Sequence, residues 1–430
     1  MLRKVLTLAA VLALGGVARA ADWPQWHGPN RDAKSAETGL LKSWPAEGPA
    51  LLWKAGGCGE GFGSLAIAGG MVYVLGDADG KTNLVVFDAN GKPKGKVPFA
   101  PAVKDQYSGT RSTPTVDKGL VYVSAPAGVL ACLDAKTLQG KWSKEYQKDF
   151  RGAVPGWKFA DSPLVDGDNV IIKPGGPDAT IVAYSKANGN VAWQSKGLSD
   201  GAEYPSCIKV TVGDVPMIAT LTNKGMVGVS AKTGQFLWRY DRPANGTANC
   251  PTPVAEGSRV FCASGYGQGG GAVDLKVAGA AVQSQQAWET KDMVCHHGGY
   301  VLVDGFLYGN NGGGWACIDW QSGQTKHKKA GVGKGSLIYA DGMLYCFSEG
   351  GGKVGLVKAD PADHKIVSQF AIPKGGQGAT WAHPAISDGR LYIRHGDFLY
   401  CYDIKDKSAA PAPAAGEAKG GAERVAEAAK

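Results

Sequence analysis

The 430-residue sequence predicts an all-β protein, an eight-bladed β-propeller with four antiparallel strands per blade. Three observations carry that prediction: a recurring cassette of short strands, a regular spacing between its copies, and a strand near the N-terminus that completes the last copy. The cassette begins with Ser/Thr-Pro-x-apolar, turns at Gly, and continues with apolar-aromatic-apolar. A third strand then ends near Asp, and a Gly turn leads to a strand that reaches Trp. One copy reads Thr113-Pro114-Thr115-Val116, Val121-Tyr122-Val123, Cys132-Leu133-Asp134 and Gly140-Lys141-Trp142.

The second-strand anchor recurs as Tyr73, Tyr122, Ile171, Ile218, Phe261, Tyr308, Tyr345 and Tyr392, at intervals of 37 to 49 residues. Short alternating strands between turn residues are the pattern of half-buried antiparallel sheet, and their radial repetition at this period is that of a propeller. Asn90-Gly91, Asn188-Gly189, Thr233-Gly234 and Ser322-Gly323 mark the last turn, where Gly supplies a positive φ. The eighth copy ends after its third strand at Tyr402-Asp403. The strand Ala50-Leu51-Leu52-Trp53-Lys54 is therefore expected to pair with it and close the ring without open edges.

The remaining segments divide the chain. Residues 1–20 read as a signal peptide: Arg3 and Lys4 precede a short apolar run, and Ala18-Arg19-Ala20 gives a small-x-small cleavage site. The protein is thus expected to be exported, to the periplasm or outside the cell. Residues 21–48 form a leader, 49–407 the propeller, and 408–430 an Ala/Pro/Gly/Lys/Glu tail too poor in apolar residues to order itself. The net charge of +8 includes Arg3, Lys4 and Arg19, and the other basic residues are scattered, which argues against a nucleic-acid partner. No segment is long and apolar enough for a transmembrane anchor. A monomer is expected.

Nine cysteines are present. Cys132, Cys317 and Cys401 share one third-strand position in separate copies, and Cys262 and Cys346 share a second-strand position. Equivalent places in separate blades are too far apart to bond, so these read as small buried hydrophobes. Cys58, Cys207, Cys250 and Cys295, near the starts of strands, are the better candidates for bonding or reactivity.

Asp/Ala-x-Thr/Asn-Gly-x-x-x-Trp blade endings and Ser/Thr-Pro-x-Val beginnings resemble the pyrroloquinoline-quinone (PQQ) repeat propellers, over about Pro49 to Asp403. The leader Trp23-Pro24-Gln25-Trp26-His27-Gly28-Pro29-Asn30-Arg31 is similar to that of secreted bacterial quinoprotein-like propellers. Lys96, His327 and Val367 stand about where copies one, six and seven would carry the terminal Trp. For the dehydrogenases of that superfamily, the resemblance implies PQQ stacked between a Trp and a ring of two adjacent disulfide-bonded cysteines, with calcium polarising the quinone and an Asp as base. This chain has no Cys-Cys pair and no Cys-x-x-Cys-His haem motif, and no Glu/Asn/Asp calcium set can be matched. No cofactor is expected on this reading, which is a non-catalytic binding or scaffolding protein of the periplasm or cell envelope. Its partner would be an envelope protein or a polysaccharide. The alternative is a PQQ-dependent alcohol or sugar dehydrogenase with calcium and a reduced site.

Propeller ligands sit at a channel mouth, on loops leading into the innermost strands. Nine residues before most anchors stand Ser64, Thr113, Ser162, Thr252, Gly299, Ser336 and His383, with Ser206 in copy four; their hydroxyls read as structural. Two residues earlier the ring diversifies to Phe62, Arg111, Ala160, Tyr204, Cys250, His297, Lys334 and Trp381. Arg111 and Lys334 would hold an anion, Trp381 and Tyr204 would stack on a planar or sugar-like group, and His297 with His383 would converge across the channel. The competing reading packs these side chains between blades. His296-His297, if on a strand, would point to opposite faces and not grip one metal, so no metal site is expected. The glycine-rich run Ser264 to Gly271 reads as a hairpin loop, with no helix after it to cradle phosphate.

Overall fold

The computed structural model describes residues 22–279 and 281–408. The signal-peptide reading, and all of the tail after Ser408, lie outside the described residues. Eight blades of four antiparallel strands follow one another along the chain, and the leader strand Lys34–Ser35 adds in parallel to the first strand of blade 7. Their first strands are Leu65–Ala68, Thr115–Asp117, Leu164–Asp166, Ile208–Val212, Val254–Glu256, Tyr300–Val303, Gly335–Ala340 and Ala385–Ser387, for blades 1 to 8. These first strands approach those of neighbouring blades and so line the centre. Among the described residues one short helix, Tyr146–Phe150, interrupts the strands.

The ring closes as the sequence predicts. Ala50–Ala55 pairs antiparallel with Phe398–Asp403, setting Trp53 opposite Cys401 and completing blade 8. All eight anchors lie on second strands and are buried. The apolar core sits between the blades: Tyr73, Leu75 and Val86 of blade 1 pack with Val121, Val123 and Leu133 of blade 2, and this sharing continues round the ring.

A physical reason for the Gly…Trp spacing appears at these interfaces. Trp53 meets the turn at Gly91 of the next blade, Trp142 meets Gly189, Trp193 meets Gly234, and Trp288 meets Gly323. A Cβ on any of these glycines would lie 2.6–2.7 Å from the indole, and each has a φ between 71° and 76°. The turn therefore needs Gly twice over, for conformation and for room. Where Trp is missing, His327 stands opposite Cys317 as expected. In blades 1 and 7 the register puts Gly95 and Ser368 at that position, not Lys96 and Val367, because the turn before the fourth strand differs in length there: Val86 to Gly95 is nine residues and Leu356 to Ser368 twelve, against ten from Cys132 to Trp142. Leu138 fills the space beside Gly95, and the Ser368 hydroxyl accepts a bond from the backbone N–H of Trp44.

All nine cysteines are free thiols. The suggested bonding of Cys58, Cys207 and Cys295 gives way to burial of each as a small apolar group, and Cys250 alone is partly exposed.

Candidate functional site at the channel mouth

The leader crosses the centre of the ring and forms the floor of a pocket. Trp23 exchanges backbone hydrogen bonds with Ile67 of blade 1, and Val116 of blade 2 donates to Pro24 O at 2.8 Å. The Trp26 Nε1–H donates to Thr252 Oγ1 at 3.0 Å in blade 5. Arg31, buried, donates from Nη2 to Ser162 O and from Nη1 to Pro163 O, both 3.0 Å, in blade 3. His27 Nε2 and His383 Nδ1 share a hydrogen bond of 3.0 Å. His27, Arg31 and Ala33 all have φ near 60°, a strained backbone held by these contacts.

Above this floor opens a pocket of about 200 Å³ whose wall includes Trp26, Phe62, Tyr107, Trp157, Tyr204 and Trp381, with Arg111, Cys250, Tyr266, His296 and His297. Trp381 is surrounded on one side, with ring centroids 4.8 Å from Phe62, 5.2 Å from Tyr107 and 4.2 Å from His297. Trp157 and Tyr204 face each other at 6.0 Å elsewhere in the wall. The hydroxyl ring two residues further in is structural: Thr113 N–H donates to Ser162 Oγ, Ser162 N–H to Ser206 Oγ, and Ser206 N–H to Thr252 Oγ1. Blades 2 to 5 are thus tied one to the next around the channel.

A family model described as outer membrane protein assembly factor BamB, built on PQQ-like repeats, matches residues 80–329. The chain belongs to this family. Among solved structures, this PQQ-like propeller is similar to BamB from Moraxella catarrhalis, at 12% identity and a TM-score of 0.55 over 76% of this chain and 95% of that one. It is also similar to the quinohemoprotein alcohol dehydrogenase from Comamonas testosteroni, at 13% identity and a TM-score of 0.62 over 91% and 82%. Likeness at these identities shows the shared fold alone. No curated protein matches the chain in sequence.

Of the ring read from the repeat register, the PQQ-like propeller brings Phe62, Arg111, Ala160, Tyr204, Cys250, His297 and Trp381 to one pocket, together with His383. Lys334 stands behind the wall. Its ammonium donates to His296 Nδ1 at 2.9 Å and pairs with Glu349 at 3.1 Å. Arg111 is likewise engaged, with Asp105 at 3.0 Å and with Gly109 O and Tyr107 O. Neither cation is free to hold an anion as the sequence reading had it. His383 meets His297 through the backbone, with Nε2 2.9 Å from His297 O, so the two imidazoles do not converge.

The orientation expected of His296 and His297 is corrected. Both line the pocket, with ring centroids 3.6 Å apart, because they lie in a bend before strand Tyr300–Val303 where strand alternation does not apply. The glycine-rich run forms a tight hairpin whose tip carries Tyr266; its hydroxyl lies 3.2 Å from His296 Nε2. Tyr107, Trp157, Tyr266, His296 and Glu349 were missed from sequence. The first two sit in inter-blade loops of irregular length, where the repeat offers no register.

Electrostatically the mouth is close to neutral. Burial first, then the neighbouring His297 and Lys334, hold His296 down at about 3. Burial also lowers His297, against the pull of Glu349. Burial opposes the charge of Glu349, yet its contacts with His297 and Lys334 outweigh this and hold the carboxyl at about 2. Burial pushes the Cys250 thiol up to about 12. The two charged pairs, Arg111–Asp105 and Lys334–Glu349, each cancel.

Proposed function

We propose that this PQQ-like propeller is a non-catalytic binding protein of the cell envelope that recognises an uncharged, ring-shaped group at its aromatic mouth. A sugar unit of an envelope polysaccharide suits the wall best. The observation that carries this reading is the aromatic wall itself: ring faces from several blades and the leader surround a pocket of about 200 Å³ with no carboxylate in its lining. Aromatic faces stack on the apolar face of a sugar, while hydroxyls and neutral imidazoles bond its rim. The family match to an outer membrane assembly factor, and the export signal expected of residues 1–20, support the envelope.

The residues present do not fit PQQ with calcium. PQQ is a tricarboxylate, and the only lining guanidinium, Arg111, is already paired with Asp105. Calcium takes hard oxygen ligands, whereas the wall offers no carboxylate and clusters thiol and imidazole instead. A titration panel tests the reading: neutral mono- and oligosaccharides followed by tryptophan fluorescence, beside PQQ plus calcium with an alcohol and a dye acceptor. Saturable saccharide binding without dye reduction is expected. Tight PQQ binding with turnover would replace the binding reading by the dehydrogenase one.

A further inference from the structure

Cys250, His296 and His297 bring one sulfur and two imidazole nitrogens within 4.8 Å of one another in the pocket wall. We propose that these three side chains form a site for a thiophilic transition-metal ion of the zinc class, open to the pocket at its fourth position. The site stands on its own geometry, whether or not the mouth takes a saccharide.

The donor set is specific. Thiolate and imidazole select zinc and its neighbours over calcium or magnesium, and three protein ligands with one open position is the pattern of an accessible zinc site. Among the described residues, Cys250 is the one cysteine not fully buried, so the sulfur placed beside the two imidazoles is also the one an entering ion can reach. Tetrahedral zinc needs donor atoms roughly 3.4–3.6 Å apart. The separations, at most 4.8 Å, need therefore close by no more than about an ångström, and all three residues lie in segments between strands. As the sulfur–metal bond forms, the thiol proton passes to water.

Two further groups belong to the site. Glu349 Oε1 lies 3.4 Å from His297 Nδ1, the carboxylate–histidine contact that fixes tautomer and orientation in metal sites. Lys334 places its ammonium 2.9 Å from His296 Nδ1 and 3.1 Å from Glu349. That ammonium competes with a metal for the imidazole lone pair and must swing fully onto Glu349 when the ion enters. Removing it should therefore favour the metal.

The test is titration of the metal-stripped protein with Co²⁺ and Zn²⁺. One equivalent of Co²⁺ is expected to give a thiolate-to-cobalt charge-transfer band in the near ultraviolet, reversed by Zn²⁺. Cys250→Ser should abolish the band, and His297→Gln should weaken binding at least about tenfold. Lys334→Met should tighten it by about tenfold. Melting curves without metal establish that each variant is folded, and Lys334→Met reads the site even if Cys250→Ser does not fold. Absence of the band in the parent protein would overturn the proposal. So would a band retained in Cys250→Ser, or weaker binding in folded Lys334→Met.

Discussion

Trp53 and Gly91 join the two ends of the ring. The Trp53 Nε1–H donates to Ala89 O at 2.9 Å, and its indole occupies the space that a Cβ on Gly91 would enter at 2.6 Å. Both the closing strand and its interface with blade 1 depend on this contact. Trp53→Ala is expected to destabilise the protein by about 3 kcal/mol, through lost packing of a large aromatic. Gly91→Ala is expected to cost about 2 kcal/mol, from the positive φ and the clash together. Urea unfolding of both variants measures this. Equal stability of Gly91→Ala and parent would show that the turn does not need Gly.

Arg31 ties the leader to blade 3, with Nη groups on Ser162 O and Pro163 O. It is buried, and burial is the main reason that its pKa falls to about 10. Arg31→Met removes both bonds and the one to Gln25 Oε1; it leaves Ser162 O unpaired, while Pro163 O keeps the Thr115 hydroxyl, for an expected loss of about 2 kcal/mol. Because Trp26 and His383 line the pocket beside the same leader, hydrogen exchange of Thr252 and His383 should rise in this variant. Unchanged exchange would mean that the leader is not held by Arg31.

How far the sequence was legible differs between the ring and its contents. Blade number, the strand completing blade 8, and the clustering of Phe62, Tyr204, His297 and Trp381 follow from one register carried round eight copies. Wherever the chain leaves that register, the prediction fails. Tyr107 and Trp157 come from loops of unequal length, Tyr266 from a hairpin tip, and Trp26 from a leader whose path across the centre has no counterpart in the repeat. A turn one residue shorter than that of blade 2 moved the position expected of Lys96 to Gly95. The partners of Arg111 and Lys334, Asp105 and Glu349, are six and fifteen residues away along the chain and carry no motif.

Two buried groups contribute to acid stability in opposite directions. His364 stacks on Trp315 with centroids 5.6 Å apart, and burial, then the neighbouring His327, holds it down at about 4. The unfolded chain takes up this proton near pH ~6.5, so this contribution is lost as pH falls from there to about 4. Its slope is at most about 1.4 kcal/mol per pH unit. Asp77 behaves oppositely: burial raises it to about 6, against the Thr82 hydrogen bond. The native state then binds the proton more tightly, and stability is lost as pH rises from ~4 toward 6. Unfolding free energies across pH 4–7 should show His364→Gln losing less than the parent on acidification. Asp77→Asn should lose less than the parent as pH rises from 4 to 6. Parallel curves for parent and variants would refute these assignments.

Trp381 lies at the heart of the aromatic wall, touching Phe62, Tyr107 and His297 and only partly buried. The most direct measurement is therefore titration of the parent and Trp381→Ala with the same neutral oligosaccharide panel by calorimetry, beside their melting temperatures. Saturable binding of at least one oligosaccharide to the parent is expected, weakened about tenfold or more in the variant, ~1.4 kcal/mol, with the melting temperature unchanged. Equal affinity in the two proteins, or a collapse in the variant's melting temperature, would contradict it and make Trp381 a packing residue.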